Sequence, residues 1–205
     1  MRTQMALLIL FALSASQASA VTDPHPNGIG VYFDLNADTW QVWSGPNIPI
    51  NTYVILTIPT GEEILGYEFA YRISVTPGME NMFFRLGMEF PDFVPTDINL
   101  PNYEIFGDEV AVGPFAPAHM SGSSAVVLLT WQFMFLSPAM EVEFFLGPTS
   151  GEGPTQGQLA YYSEAGIVPM HPSSGNHLLP VAMVNGEGVV PTTETSFGSL
   201  KALFR

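Results

Sequence analysis

The sequence predicts an all-β fold, two antiparallel sheets packed face to face as a β-sandwich, and three observations predict it. Apolar residues recur at every second position through much of the chain, as in a strand with one face in a core and the other in water. Gly 19 and Pro 18 break these runs at short intervals. No stretch of ten or more residues carries a convincing amphipathic helical period. About nine or ten short strands at this spacing are what a sandwich requires. At 205 residues and 47% hydrophobic, the chain is long enough for one domain with a sizeable core.

Taken from the start, residues 1–20 read as a signal peptide. Arg2 gives a positive beginning, 5–15 is apolar, and Ala18, Ser19 and Ala20 form a small-x-small cleavage site. A membrane anchor needs roughly 20 apolar residues, and Ser14, Ser16, Gln17 and Ser19 interrupt this stretch too soon. The expected organisation is a signal peptide at 1–20, a sandwich domain at 21–194 and a tail at 195–205. Strands are expected at 29–34, 40–43, 53–58, 65–75, 82–88, 103–112, 126–135, 141–146, 159–162 and near 181–184. Each is rich in β-branched or aromatic residues and is bounded by Gly, Pro or Asn.

The clearest of these is 65–75. Leu65, Tyr67, Phe69, Tyr71, Ile73 and Val75 fall on one face, with Gly66, Glu68, Ala70, Arg72 and Ser74 on the other, so the first face should be sealed and the second wet. Residues 148–180, rich in Gly, Pro and Ser, read as long loops around one strand. The tail changes pattern: Leu200, Leu203 and Phe204 share a side if helical, Lys201 and Arg205 are four apart, and Ser199 can cap. A short C-terminal helix is expected, docked on the sandwich edge through Leu200, Leu203 and Phe204; the alternative is a free sorting peptide.

Charge and composition exclude several functions. Nineteen acidic residues against five basic ones give a net charge of −14, which leaves no basic stripe for nucleic acid. Cysteine is absent, so disulfide scaffolds, thiolate zinc sites and cysteine nucleophiles are out. Export without cysteine points to a bacterial periplasm or cell surface, or to the medium. No transmembrane segment is expected after the signal peptide: the longest apolar run, 125–136, contains Thr130 and Gln132 and has the length of a buried strand.

Few residues suggest chemistry. Asp34, Asn36 and Asp38 occupy places 1, 3 and 5 of a calcium-type loop, where alternate oxygens converge on one hard cation. Places 6 and 12 hold Thr39 and Gly45 instead of Gly and Glu, and Asp and Asn also form plain turns by bonding their own backbone. Calcium is therefore the one cofactor with a candidate site. Glu141 and Glu143 would share a strand face at a separation fit for a glycoside hydrolase pair, yet alternation alone puts two glutamates on a wet face. The histidines show no metal-ligand spacing, and no Gly-x-Ser-x-Gly elbow is present. No catalytic residue is assigned. Trp40 and Trp43 should face opposite sides of a short strand, as should Tyr161 and Tyr162, so one ring of each pair is a candidate for ligand binding.

Four segments together carry a resemblance: 23–34 (DPHPNGIGVYFD), 66–69 (GYEF), 145–148 (FLGP) and the ending 197–205 (FGSLKALFR). They are similar to a group of exported bacterial proteins with cohesin-like or immunoglobulin-like sandwiches. The most specific element is the tail, usually aromatic-Gly-x-x-Lys-x-Leu-aromatic-Arg, with Phe197 where Trp is expected. The resemblance implies export and fold and transfers no catalytic residue. The function expected is a monomeric, exported, non-catalytic interaction module with an unidentified protein partner; the alternative is a carbohydrate-binding module with a glycan ligand.

Overall fold

The computed structural model describes residues 23–95, 103–113, 115–120, 122–151 and 157–187. Its strands in chain order are β1 (Gly28–Tyr32), β2 (Gln41–Val42), β3 (Ile50–Thr57), β4 (Glu63–Ile64), β5 (Gly66–Val75), β6 (Phe83–Glu89), β7 (Gly107–Val112), β8 (Ala118–His119), β9 (Ala125–Phe135), β10 (Val142–Gly147), β11 (Ala160–Ser163), β12 (Gly166–Pro169), β13 (His171–Pro172) and β14 (Ala182–Val184). One sheet has the order β13-β1-β3-β9-β6. The second runs β12-β11-β5-β10-β14-β2, with β7 also paired to β5, and β4 with β8 forms a two-stranded ribbon. Among the described residues, helix is limited to one 3-10 turn, Glu80–Met82.

All ten expected strands are present, in a sandwich that differs from expectation in three ways. Two contacts, β1 with β13 and β14 with β2, are parallel, so the sheets are not purely antiparallel. The 148–180 region holds a β11–β12 hairpin and β13 besides loop. Four further strands, β4, β8, β12 and β13, have two to four residues each, too short for periodicity to reveal. The signal peptide, the short C-terminal helix and the docking residues Leu200, Leu203 and Phe204 lie outside the described residues.

The core forms where the inner face of β5 meets the other sheet. Tyr67, Phe69, Tyr71, Ile73 and Val75 are buried, while Leu65, just ahead of the strand, is half-buried. Across from them β9 supplies Leu129, Trp131, Phe133 and Phe135, and β3 supplies Val54 and Leu56. Rings bridge the two layers: Tyr71 meets Trp131 edge-on with centroids 5.0 Å apart, and Phe133 meets Phe144 at 5.7 Å. Each such side chain contributes about 1.5–3 kcal/mol by leaving water, with further gain from edge-on ring geometry.

A buried tyrosine needs a partner for its hydroxyl, and a bulge provides one. The β3–β9 register skips Leu128, pairing Val54 with Leu129 and Ile55 with Val127. The Leu128 carbonyl, released from the ladder, accepts the Tyr67 hydroxyl from the opposite sheet. Burial pushes the Tyr67 phenol far above its ordinary pKa, so it stays a donor.

On the outer face of β5 the expectation of a wet face fails at Gly66 and Glu68, which are buried, while Ala70 and Ser74 are half-buried and Arg72 is exposed. Glu68 is 1% exposed, because that half of β5 is flanked by both β7 and β11, with Tyr162 beside it. Further along, Arg72 lies 3.7 Å above the Phe145 ring. Arg85 of β6 donates to the Tyr103 and Glu104 carbonyls and to the Tyr71 hydroxyl, closing one edge of the sandwich.

Replacing Tyr67 by Phe removes the donor and leaves the Leu128 carbonyl buried without it. The expected loss is about 1–3 kcal/mol, read as a lower urea midpoint at unchanged m-value.

Candidate functional site

A built depression lies at one end of the sandwich, around Trp43. The chain leaves β2 at Trp43 and is pinned there by Asn185, which follows β14 in the left-handed region at φ 57°. The Asn185 side-chain oxygen accepts from Ser44 N (2.8 Å), and its Nδ2 donates to the carbonyls of Ser44 (3.0 Å) and Met140 (3.1 Å). Its backbone N donates to Val42 O (3.0 Å), and Gln41 Nε2 donates to Gly186 O (2.5 Å). One amide thus fixes both the loop after β2 and the loop before β10. Between them is an open depression of about 760 Å³, lined by Trp43, Ser44, Met140, Glu141, Asn185 and Glu187 among others. Trp43 is 67% exposed at its wall.

The other candidate rings do not join Trp43. Trp40 is half-buried and packs with Tyr32, Ala37 and Ile55 under the loop that follows β1. Tyr161 is fully buried. Its hydroxyl accepts from Gly61 N (2.8 Å) and donates to Asn27 Oδ1 (3.2 Å), tying the start of β1 and the end of β3 to the second sheet. That corrects its selection as a ligand-binding ring: the ring is sealed and its hydroxyl serves a sheet-to-sheet corner. Tyr162 is half-buried; burial and then the nearby Glu68 raise its pKa. Among the described residues the four rings form no row.

The loop at Asp34 is a turn built on its first carboxylate. Asp34 Oδ1 accepts from the backbone N of Asn36 (2.9 Å) and of Asp38 (3.2 Å), and Ala37 takes φ 61°. Partial burial works to raise the Asp34 pKa. Hydrogen bonds from the Thr39 side chain and from the backbone of Asp38, Asn36 and Thr39 outweigh it and hold the carboxyl below its ordinary value. Among the described residues no three His, Asp or Glu side chains are grouped so as to hold a metal ion.

Glu141 is exposed and Glu143 half-buried, on the rim of an open depression of about 300 Å³ with Ser74, Thr76 and Pro77. Neither sits at the floor of a cleft. Sequence spacing missed one pairing: His171 Nε2 lies 3.1 Å from Oδ2 of Asp23, a carboxylate 2% exposed that also accepts from His25 N (2.9 Å). Their sequence separation of 148 makes this contact invisible to any local motif. His119 similarly meets Glu63 at 3.1 Å across the β4–β8 ribbon.

Sequence spacing also missed an apolar surface on the five-stranded sheet. Along β9, Trp131, Phe133 and Phe135 point inward, so Gln132, Met134 and Leu136 point out. Phe84 of the edge strand β6 stands opposite Met134. Phe84 is 38% exposed, Leu86 at the β6 bulge 46% and Leu136 44%, with Met82 beside them through the Leu136 N to Met82 O bond. None of the four belongs to the core. The Gln132–Asn51 side-chain bond of 2.9 Å gives the patch a polar border.

Two facing sheets, a bulged central strand and, among the described residues, almost no helix define a β-sandwich domain. It is similar in fold to the sixth cohesin of scaffoldin B from Acetivibrio cellulolyticus, solved in complex with a Cel5 dockerin mutant: TM-score 0.50 at 11% identity, over 80% of this chain and 100% of that one. The seventh type I cohesin of ScaB from Pseudobacteroides cellulosolvens aligns at TM-score 0.47 and 8% identity, over 83% and 97%. No protein-family profile matches the chain, and no curated protein matches it.

Two substitutions test these local structures. Asn185→Ala removes three side-chain hydrogen bonds and should cost about 2–3 kcal/mol, with faster local motion of Trp43 in time-resolved fluorescence anisotropy. Asp34, its folded pKa lowered, adds stability that is complete above its unfolded value near 3.9 and lost as pH falls through the folded value. Asp34→Asn should therefore be less stable at pH 7, and the gap in urea midpoint should close as pH falls through the folded value.

Proposed function

We propose that the chain is an exported, non-catalytic β-sandwich module that docks a protein partner on the outer face of its five-stranded sheet. One observation carries the reading: Met82, Phe84, Leu86 and Leu136 present contiguous apolar surface on and beside an edge strand. A soluble domain gains nothing from such exposure in isolation, and patches of this kind mark contact surfaces. Edge strands left apolar also invite unwanted pairing, a liability selection normally removes with charge or proline. The fold supports the reading by analogy, since the Acetivibrio cellulolyticus cohesin was solved with a dockerin bound.

Export is supported by the Arg2 start, the 5–15 apolar stretch and the Ala18-Ser19-Ala20 cleavage site. The described residues hold no helix long and apolar enough to cross a membrane. A carbohydrate-binding module would want two or three rings in a row, and only Trp43 of the four candidates stands well into solvent, so the protein reading ranks first. The open setting of Glu141 and Glu143 offers a glycoside hydrolase no enclosed cleft.

A photo-crosslinking residue placed at Leu86 in the producing cells should give one discrete protein adduct, and the same residue at Ser74, on the other sheet, should not. The purified partner should then bind Leu86→Asp at least tenfold more weakly than the natural chain. No adduct at Leu86, or equal adducts at both positions, overturns the assignment. An N-terminus beginning at Val21 on the exported protein checks the leader.

A further inference from the structure

The Trp43 depression and the charge distribution of the chain point to one occupant. The chain has five Lys and Arg residues: Arg2, Arg72, Arg85, Lys201 and Arg205. Arg2 lies in the expected leader. Arg72 is stacked on Phe145, and Arg85 is held by backbone carbonyls and the Tyr71 hydroxyl. The ion pairs shown by the described residues are both made by histidine, His119 with Glu63 and His171 with Asp23. The two arginines of the domain are engaged in these contacts, and the other two cations outside the expected leader, Lys201 and Arg205, stand in the last five residues of the sequence.

The depression has the chemistry to receive such a cation. Trp43 offers an exposed indole face, the best aromatic surface for an ammonium or guanidinium. The Glu141 and Glu187 carboxylates line the same space, and Ser44 and Asn185 are already fixed to each other, so the site is formed before anything enters it. The chain also leaves the described structure at this place, because Glu187 is both a lining residue and the last residue described. From Glu187 to Lys201 is fourteen residues, which reach at most about 48 Å when extended, ample to return to a site that Glu187 itself borders.

We propose that the Trp43, Glu141 and Glu187 depression binds the chain's own segment 195–205 through the cationic side chains of Lys201 and Arg205. Tethering makes the contact intramolecular, so modest pairwise attractions suffice at an effective concentration in the millimolar range. Leu200, Leu203 and Phe204 neighbour these cations in the sequence, and the exposed Ile48 side chain lies beside Gly45 on the wall of the depression. This inference does not depend on a partner at the β6 face.

The test uses the full chain and the Trp43 indole N–H resonance, assigned among the three tryptophans by Trp43→Phe. Neutralising the segment with Lys201→Gln and Arg205→Gln should shift that resonance and leave those of Trp40 and Trp131 in place. Raising the natural chain to 1 M salt should produce the same shift, since the Debye length falls to about 3 Å. A synthetic peptide of residues 195–205 should bind the doubly neutralised chain at least tenfold more tightly than one that also carries Glu141→Gln and Glu187→Gln. An unmoved Trp43 signal in the neutralised chain overturns the proposal. A difference that grows with protein concentration overturns it as well, because the occupant is then the segment of a second copy.

Discussion

The inner face of β5 is the constraint from which most of the architecture follows. Five large side chains in ten residues need cover along their full length, and a single strand cannot supply it. β9, the eleven-residue strand, runs across them with Trp131, Phe133 and Phe135. Tyr67 then brings a hydroxyl into an apolar layer, where an unmade hydrogen bond costs more than the average made one contributes. The bulge at Leu128 answers that need. A regular ladder would hold the carbonyl inside its own sheet, whereas the extra residue turns it toward the other one. Packing and hydrogen bonding thus agree on where β9 must bend.

What could be read from the sequence divides along the range of the interactions. Alternation is local and depends only on one face being buried, so 65–75, 126–135 and 141–146 were legible as strands from their own residues. Two-residue strands such as β4 and β13 carry no period at all; they exist because a neighbour happens to pass. Glu68 shows the limit of a face-by-face argument. Alternation says only that it points away from Tyr67 and Phe69, while its burial follows from β7 and β11, which flank β5 from 39 and 92 residues downstream. Tyr161 is the same lesson in reverse, a candidate binding ring that is sealed in the sandwich and uses its hydroxyl to hold Asn27 and Gly61.

The candidate site was legible in part. Trp40 and Trp43 were expected to face different environments, and three residues of separation with an extended chain between them do this. Which of the two stands in solvent depends on the loop after β1, which covers Trp40 with Tyr32 and Ala37, and on Asn185, 141 residues from the Ser44 it holds. The apolar β6 face was hidden for a different reason. Phe84, Leu86, Met134 and Leu136 look like core residues in any local reading, and only the order of the sheet, with β6 at its end and, among the described residues, no layer over that face, leaves them outside.

The two surfaces differ in what they can discriminate. The β6 face is apolar with a polar border, a surface whose affinity comes from area and fit and is nearly indifferent to salt. The Trp43 depression is acidic and open, so its selectivity is for charge and weakens as ions screen it. They meet at Leu136 and Ser137, since the residues that end β9 at the apolar face lead directly into Pro138 and Ala139 on the wall of the depression. Contact at either surface therefore bears on the same short turn. The Met140 carbonyl, which accepts from Asn185, ties that turn to the residue that follows β14.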